Sequence, residues 1–124
     1  MAKRDVKIKW LKKSEEHDYP AALSYLSLLY PQKVSKEYVA KLKRAQVSQF
    51  KSKDIFRASR LPLLGLDNYH VKKDKKKIES HERLSPLLLV REPGGSTVII
   101  ADGYHRLCAV YGYDEDAVIP CKIV

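Results

Sequence analysis

Cysteine is scarce in this chain. Two of its 124 residues are cysteines, Cys108 and Cys121, far apart and without CxxC spacing. That leaves no disulfide framework and predicts two small buried hydrophobes rather than a redox pair. Long apolar runs are also missing. The longest, Ala21 to Tyr30, is broken by Ser24 and Ser27 and stops at Pro31, well short of the ~20 residues that cross a bilayer. The opening MAKRDVKIKWLKK has no apolar h-region of a secretory signal, so the expectation is a cytoplasmic, reducing compartment with both thiols free and no membrane partner. His17, His70, His81 and His105 show no metal-ligand spacing, so no protein metal site is expected. There is no internal repeat and no low-complexity tract. With 44% hydrophobic and 31% charged residues, the composition is that of a folded chain of one-domain length.

Basic charge is plentiful and unevenly placed. The net charge is +9; residues 1–83 carry 21 Lys and Arg against 10 Asp and Glu, and residues 84–124 carry 3 against 5. The front of the chain therefore sets the electrostatic surface, which suits an anionic partner or a merely solvated face.

Local patterns divide the chain. Val6, Ile8 and Trp10 alternate with lysines, as in a short strand or extended arm. Asp18 is the expected N-cap of a largely buried helix with Pro20 in its first turn and a stripe of Leu23, Leu26, Leu29 and Tyr30. Ser35 is the expected cap of a second helix, with Tyr38, Val39, Leu42 and Ala45 on one face and Lys36, Lys41, Lys43 and Arg44 on the other. This pair suits a structural helper or a nucleic-acid reader, although no recognition-helix signature specifies one. Lys53 to Arg57 is a short strand candidate, and residues 60–66 are apolar but irregular around Pro62 and Gly65. A third helix, capped by Asp67 or Asn68, is predicted from Tyr69 to Arg83. Its apolar seam holds only Val71 and Ile78, so most of its lysines face water or an anion.

The C-terminal third is the most sharply patterned. Leu87 to Val90 and Thr97 to Ala101 flank the turn Glu92 to Ser96 and read as a hairpin. Asp102-Gly103 then breaks the strand, and a helix is predicted from Tyr104 to Tyr111 with Gly112 as its C-terminal cap; Val118 to Val124 closes as a strand. A strand that delivers the chain through a glycine turn into a helix sets free amide N–H groups and a positive dipole end at one point. His105 and Arg106 stand in that first turn, the one a proton shuttle near neutral pH, the other a planar phosphate donor. Asp102 either caps the helix or helps to hold a metal.

The string DGYHRLCAVYG, preceded by LSPLLLVREPGGSTVIIA and followed by VIPCKIV, resembles the core of the ParB/sulfiredoxin-like fold. The resemblance covers about residues 53–124 and implies a small mixed sheet with flanking helices, an α/β (α+β) domain, with residues 1–52 as an added arm and helical hairpin packed on it. Sulfiredoxins place a catalytic cysteine just before the His-Arg pair; Tyr104 stands there instead, so their chemistry is not expected. Partition ParB proteins bind CTP at a Gly-Glu-Arg-Arg string and continue into a DNA-binding domain, neither of which this sequence shows. Free-serine kinases of the same fold use an Asp-Gly-His-His-Arg-like turn, which Asp102-Gly103-Tyr104-His105-Arg106 resembles more closely.

The resemblance implies a nucleotide site made by Gly103, Tyr104, His105 and Arg106, with His70, Lys73 and Lys77 lent by the preceding helix and Arg57 and Arg60 as a substrate loop. ATP or CTP with Mg²⁺ would be the bound species. His105 and Asp102 are then the catalytic candidates for hydrolysis or phosphoryl transfer. The alternative is a basic module without turnover that meets nucleic acid or a protein partner through the N-terminal region.

Overall fold

An unbroken apolar strand needs cover on both of its faces, and Leu87 to Val90 receives it. The computed structural model describes residues 7–124; Val6, placed in the arm by its alternation, lies outside them. Among the described residues the strands are β1 (Lys9–Trp10), β2 (Val47–Lys51), β3 (Arg83–Leu84), β4 (Leu87–Arg91), β5 (Val98–Asp102) and β6 (Val118–Ile123). The helices are α1 (Asp18–Leu29), α2 (Gln32–Arg44), α3 (Ser52–Ser59), α4 (Tyr69–Glu79) and α5 (Tyr104–Tyr113). The architecture is a mixed α/β fold. No helix among the described residues is long and apolar enough to cross a membrane.

The main sheet has the order β2-β6-β4-β5. β4 pairs antiparallel with β5 and parallel with β6, while β2 pairs antiparallel with β6 at the far edge. A parallel β1–β3 pair stands apart. Leu87, Leu89, Ile100, Ile119 and Cys121 turn to one side of the main sheet and pack with Ile55 of α3, Val71 and Ile78 of α4, and Leu107 and Val110 of α5. Leu88, Val90 and Ala101 turn to the other side, against Tyr19, Ala22 and Leu26 of α1 and Val39 and Leu42 of α2. The sheet thus lies between two helical layers. β2, on the N-terminal side of residue 52, belongs to the same sheet as the C-terminal strands.

Several local expectations need correction. Lys53 to Arg57 is helical, not extended: Ser52, Ile55 and Ser59 are buried at helical spacing, and Arg57 pairs with Asp54 at 3.1 Å across one turn. The strand lies just before it, in β2, whose five residues are all exposed and so carry no apolar alternation. Asp18 caps nothing. It sits inside the first turn of α1, and the inward stripe is Tyr19, Ala22 and Leu26, which leaves Leu28 and Leu29 exposed. Ser35 is likewise buried within α2, three residues past the start of the helix.

The Asn68 cap is as expected, its side chain accepting from the N–H groups of His70 and Val71 at 2.9 and 3.2 Å. α4 stops at Glu79, four residues before Arg83. Gly112 lies inside α5, which runs on to Tyr113 because that side chain is buried and its hydroxyl donates to Glu79 at 3.0 Å. Both cysteines are free and buried, and burial pushes the Cys121 thiol up to about 12. A buried, protonated thiol is chemically inert at neutral pH.

Candidate functional site

β5 ends at Asp102, and the chain turns at Gly103 with φ 110°. Two helices then meet at this turn. From α5 come Tyr104, His105 and Arg106; from α4 come His70, Lys73, Asp74 and Lys77; and Asp102 and Gly103 complete the wall of a cleft of about 170 Å³. The first backbone bond of α5 runs from the Leu107 N–H to the Gly103 carbonyl at 2.9 Å. The N–H groups of Tyr104, His105 and Arg106 therefore precede the helical ladder, where an anion is favoured.

The helical spacing of α4 explains the rest. Val71 and Ile78 are fixed in the core, and this seam turns His70, Lys73, Asp74 and Lys77 together toward α5. The His70 and His105 rings lie 4.8 Å apart. The Tyr104 hydroxyl donates to the Pro62 carbonyl at 2.5 Å, which ties the 60–66 segment to the start of α5.

Arg106 spans the floor of the cleft. One terminal nitrogen donates to Asp102 Oδ2 at 3.1 Å and to the Pro86 carbonyl at 3.4 Å, while its Nε is buried without a protein partner among the described residues. Asp102 thus pairs with Arg106 one turn along; it does not cap α5, whose N-cap is Gly103 with no side-chain bond. No group of three or more His, Cys, Asp or Glu gathers as a metal site among the described residues.

The structure does not bring Arg57 and Arg60 to the cleft. Arg57 lies on α3 in its pair with Asp54, and Arg60 ends that helix in a left-handed conformation at φ 59°. Neither is in a loop against Arg106. Asp74 is the cleft residue that sequence reasoning passed over, hidden inside the lysine run KKDKKK; its spacing of four from His70 is the signal that would have found it.

Burial governs the titrating groups. It raises the Asp74 carboxyl above its ordinary range despite Arg106, Lys77, His105 and Lys73 nearby, and raises Asp102 despite Arg106, with Asp18 adding to the rise. It also lowers His105, helped by His70 and opposed by Asp74, which favours the neutral imidazole. A cleft that disfavours its own charges while gathering cations is suited to an anion that arrives from outside.

One consequence is measurable in the stability. A carboxyl raised in the folded state binds more protons there than in the unfolded chain, so its contribution is most favourable at low pH and is lost as pH rises through the folded value. Asp74→Asn mimics the protonated form. It is expected to raise Tm at pH 8 and to leave Tm unchanged below about pH 3, where the wild-type carboxyl is protonated in both states. Scanning calorimetry at the two pH values checks this; a lower Tm at pH 8 would mean that attraction to the cations outweighs burial.

A second cavity, of about 560 Å³, lies on the other flank of α4 and is walled by Leu63, Leu64, Leu66, Val71, Ala109 and Tyr113. Its cation, Lys75, is 3.7 Å from Glu79, so it does not extend the charged cleft. Compared with family models, curated proteins and solved structures, the chain matches none.

Proposed function

We propose that the cleft between α4 and α5 binds the phosphate groups of a nucleotide, ATP or CTP with Mg²⁺, in a protein of ParB/sulfiredoxin-like type. The observation that carries this reading is the convergence of His70, Lys73 and Lys77 from one helix on the amide end, His105 and Arg106 of another. About 170 Å³ is small beside the ~300–1,000 Å³ of whole-ligand pockets, so the cleft takes the phosphates and leaves the nucleoside outside it. With no three-ligand cluster among the described side chains, Mg²⁺ would enter on the phosphates and spread their charge.

For turnover, neutral His105 is the group suited to take a proton from an attacking water or hydroxyl as the phosphoryl oxygen bond breaks, and Asp102 acts through Arg106. Isothermal titration with ATP, CTP and ADP in Mg²⁺ tests the reading; no binding at millimolar nucleotide would remove it. His105→Gln is expected to lower turnover more than affinity.

A second reading has its own observation: Lys33, Lys36, Lys41, Lys43 and Arg44 are all exposed on α2. As a nucleic-acid module the protein would bind duplex DNA with a steep salt dependence, lost on Lys36→Glu with Lys41→Glu and indifferent to Arg106→Ala. The nucleotide reading expects the reverse pattern from the same variants.

A further inference from the structure

Residues 19–32 and 93–101 are the two longest stretches of this +9 chain without a charged residue. The fold sets them side by side. Tyr25 and Leu29 of α1, 41% and 48% exposed, line a groove of about 330 Å³ together with Val98 and Ile99 of β5. Leu61, itself exposed and part of the uncharged run 61–66, adds to its wall. Glu92, beside the hairpin turn, is the one charged residue lining it among the described residues.

One side of this groove is an open sheet edge. β5 pairs with β4 alone. Val124, just past β6, donates to the Leu89 carbonyl at 3.2 Å and accepts from the Arg91 N–H at 2.8 Å, so these two residues of β4 turn their backbone groups away from β5. Ile100 and Val98 stand opposite them in register. The N–H and C=O groups of Val98 and Ile100 therefore point out of the sheet, and no other element bonds to them among the described residues. An edge left without lysine, proline or cover, in a chain this rich in lysine, is a template for another strand. The opposite edge, β2, carries Lys51 and runs beside Lys122 of β6.

We propose that this face is the contact between two copies of the chain, joined by antiparallel pairing of β5 with β5 about a two-fold axis beside Ile99. Charge selects the partner. A two-fold contact sets the same patch against itself, and two copies at +9 each repel wherever their basic faces meet. The uncharged face is where they can meet. An acidic partner, for its part, is drawn to the basic faces and gains nothing here. With the axis beside Ile99, Val98 of each copy pairs with Ile100 of the other, which satisfies the free backbone groups of both residues and leaves Asp102 with Arg106. Tyr25 and Leu29 of each copy then gain apolar cover beside the joined strands. The dimer contact does not depend on what the cleft binds.

Sedimentation of the full chain across micromolar concentrations should show a monomer–dimer equilibrium. Added salt should tighten it, because the repulsion between two +9 copies is what salt screens. Leu29→Lys should weaken the dimer at least about tenfold by setting a charge in each half of the contact; Tyr25→Lys takes its place if Leu29→Lys does not fold. Val47→Lys, on the exposed β2 edge, should change nothing. Ile99→Cys should join two chains through a disulfide on oxidation. The axis sets residue 99 of one copy opposite residue 99 of the other, within the ~4.4–6.8 Å between Cα atoms that a disulfide spans. The wild type, whose two cysteines are buried, should not link. A chain that stays monomeric up to millimolar concentration overturns the proposal. So does a dimer that salt loosens, that Leu29→Lys leaves intact or that Val47→Lys breaks, and an Ile99→Cys protein that dimerises without linking rules out pairing through β5.

Discussion

Arg106→Ala is expected to weaken nucleotide and pyrophosphate binding by about ten- to a hundredfold. The figure follows from ~1.5–3 kcal/mol for a hydrogen bond to a charged group, at ~1.4 kcal/mol for each factor of ten. Arg106 is placed to give that much. Its side chain is 16% exposed, so water screens it little, and its Nε is buried without a protein acceptor among the described residues. A buried donor left unpaired carries a standing cost that an arriving oxygen removes. Lys73 is exposed and Lys77 half-buried, and each is expected to contribute less than Arg106, in keeping with better-solvated charges. Arg106→Lys keeps the charge but loses the planar fork and should recover only part of the affinity. Calorimetric titration of the three proteins with pyrophosphate decides the matter: equal affinities for Ala and Arg at position 106 would place the anion elsewhere or nowhere.

How much of this was legible in the sequence depends on where each residue's constraint comes from. β4, β5 and α5 are written in local terms. Both faces of β4 are covered, so its apolar run is unbroken, and the change of period at Asp102-Gly103 marks the turn. The face of α4 could also be read, because Val71 and Ile78 fix its rotation and carry Lys73 and Lys77 with it. β2 was not legible. As an exposed edge strand it is held by backbone bonds to β6, for which side-chain pattern supplies no signal.

Asp18 and Asp102 were both misplaced as helix caps. Both have the chemistry of a helix cap and stand where a cap is wanted, but each side chain is drawn instead to another partner. Asp18 is held by Ser85, 67 residues away in sequence, and Asp102 by Arg106, four residues on. A tertiary partner such as Ser85 leaves no trace in local spacing, whereas the Asp102–Arg106 pair is a spacing of four. Asp74 was obscured differently, by a lysine run in which a single acid reads as relief of repulsion.

Gly103→Ala is expected to cost more stability than any other single-methyl change in the site. A Cβ there would lie 2.8 Å from Leu87 Cγ, and Leu87 is a wholly buried residue of β4 with no room to retreat. The φ of 110° adds strain for any residue with a side chain. Strain of ~1–3 kcal/mol and overpacking of a similar ~1–3 kcal/mol together predict a loss of roughly 2–6 kcal/mol, a drop in Tm on the order of 10–20 °C. Gly95→Ala separates the two contributions. Gly95 also has a positive φ, 79°, but nothing lies within 4 Å of its Cβ position, so this variant bears the strain alone and should lose only about 1–2 kcal/mol. The same Cβ at position 103 would stand 2.9 Å from a terminal nitrogen of Arg106, so any Gly103→Ala protein that still folds must move the guanidinium off Asp102. Its pyrophosphate affinity should then fall with its Tm, whereas Gly95→Ala should bind as the wild type does. If Gly103→Ala matched Gly95→Ala in both measurements, the close approach of the turn to Leu87 and Arg106 would not be what holds the cleft in shape.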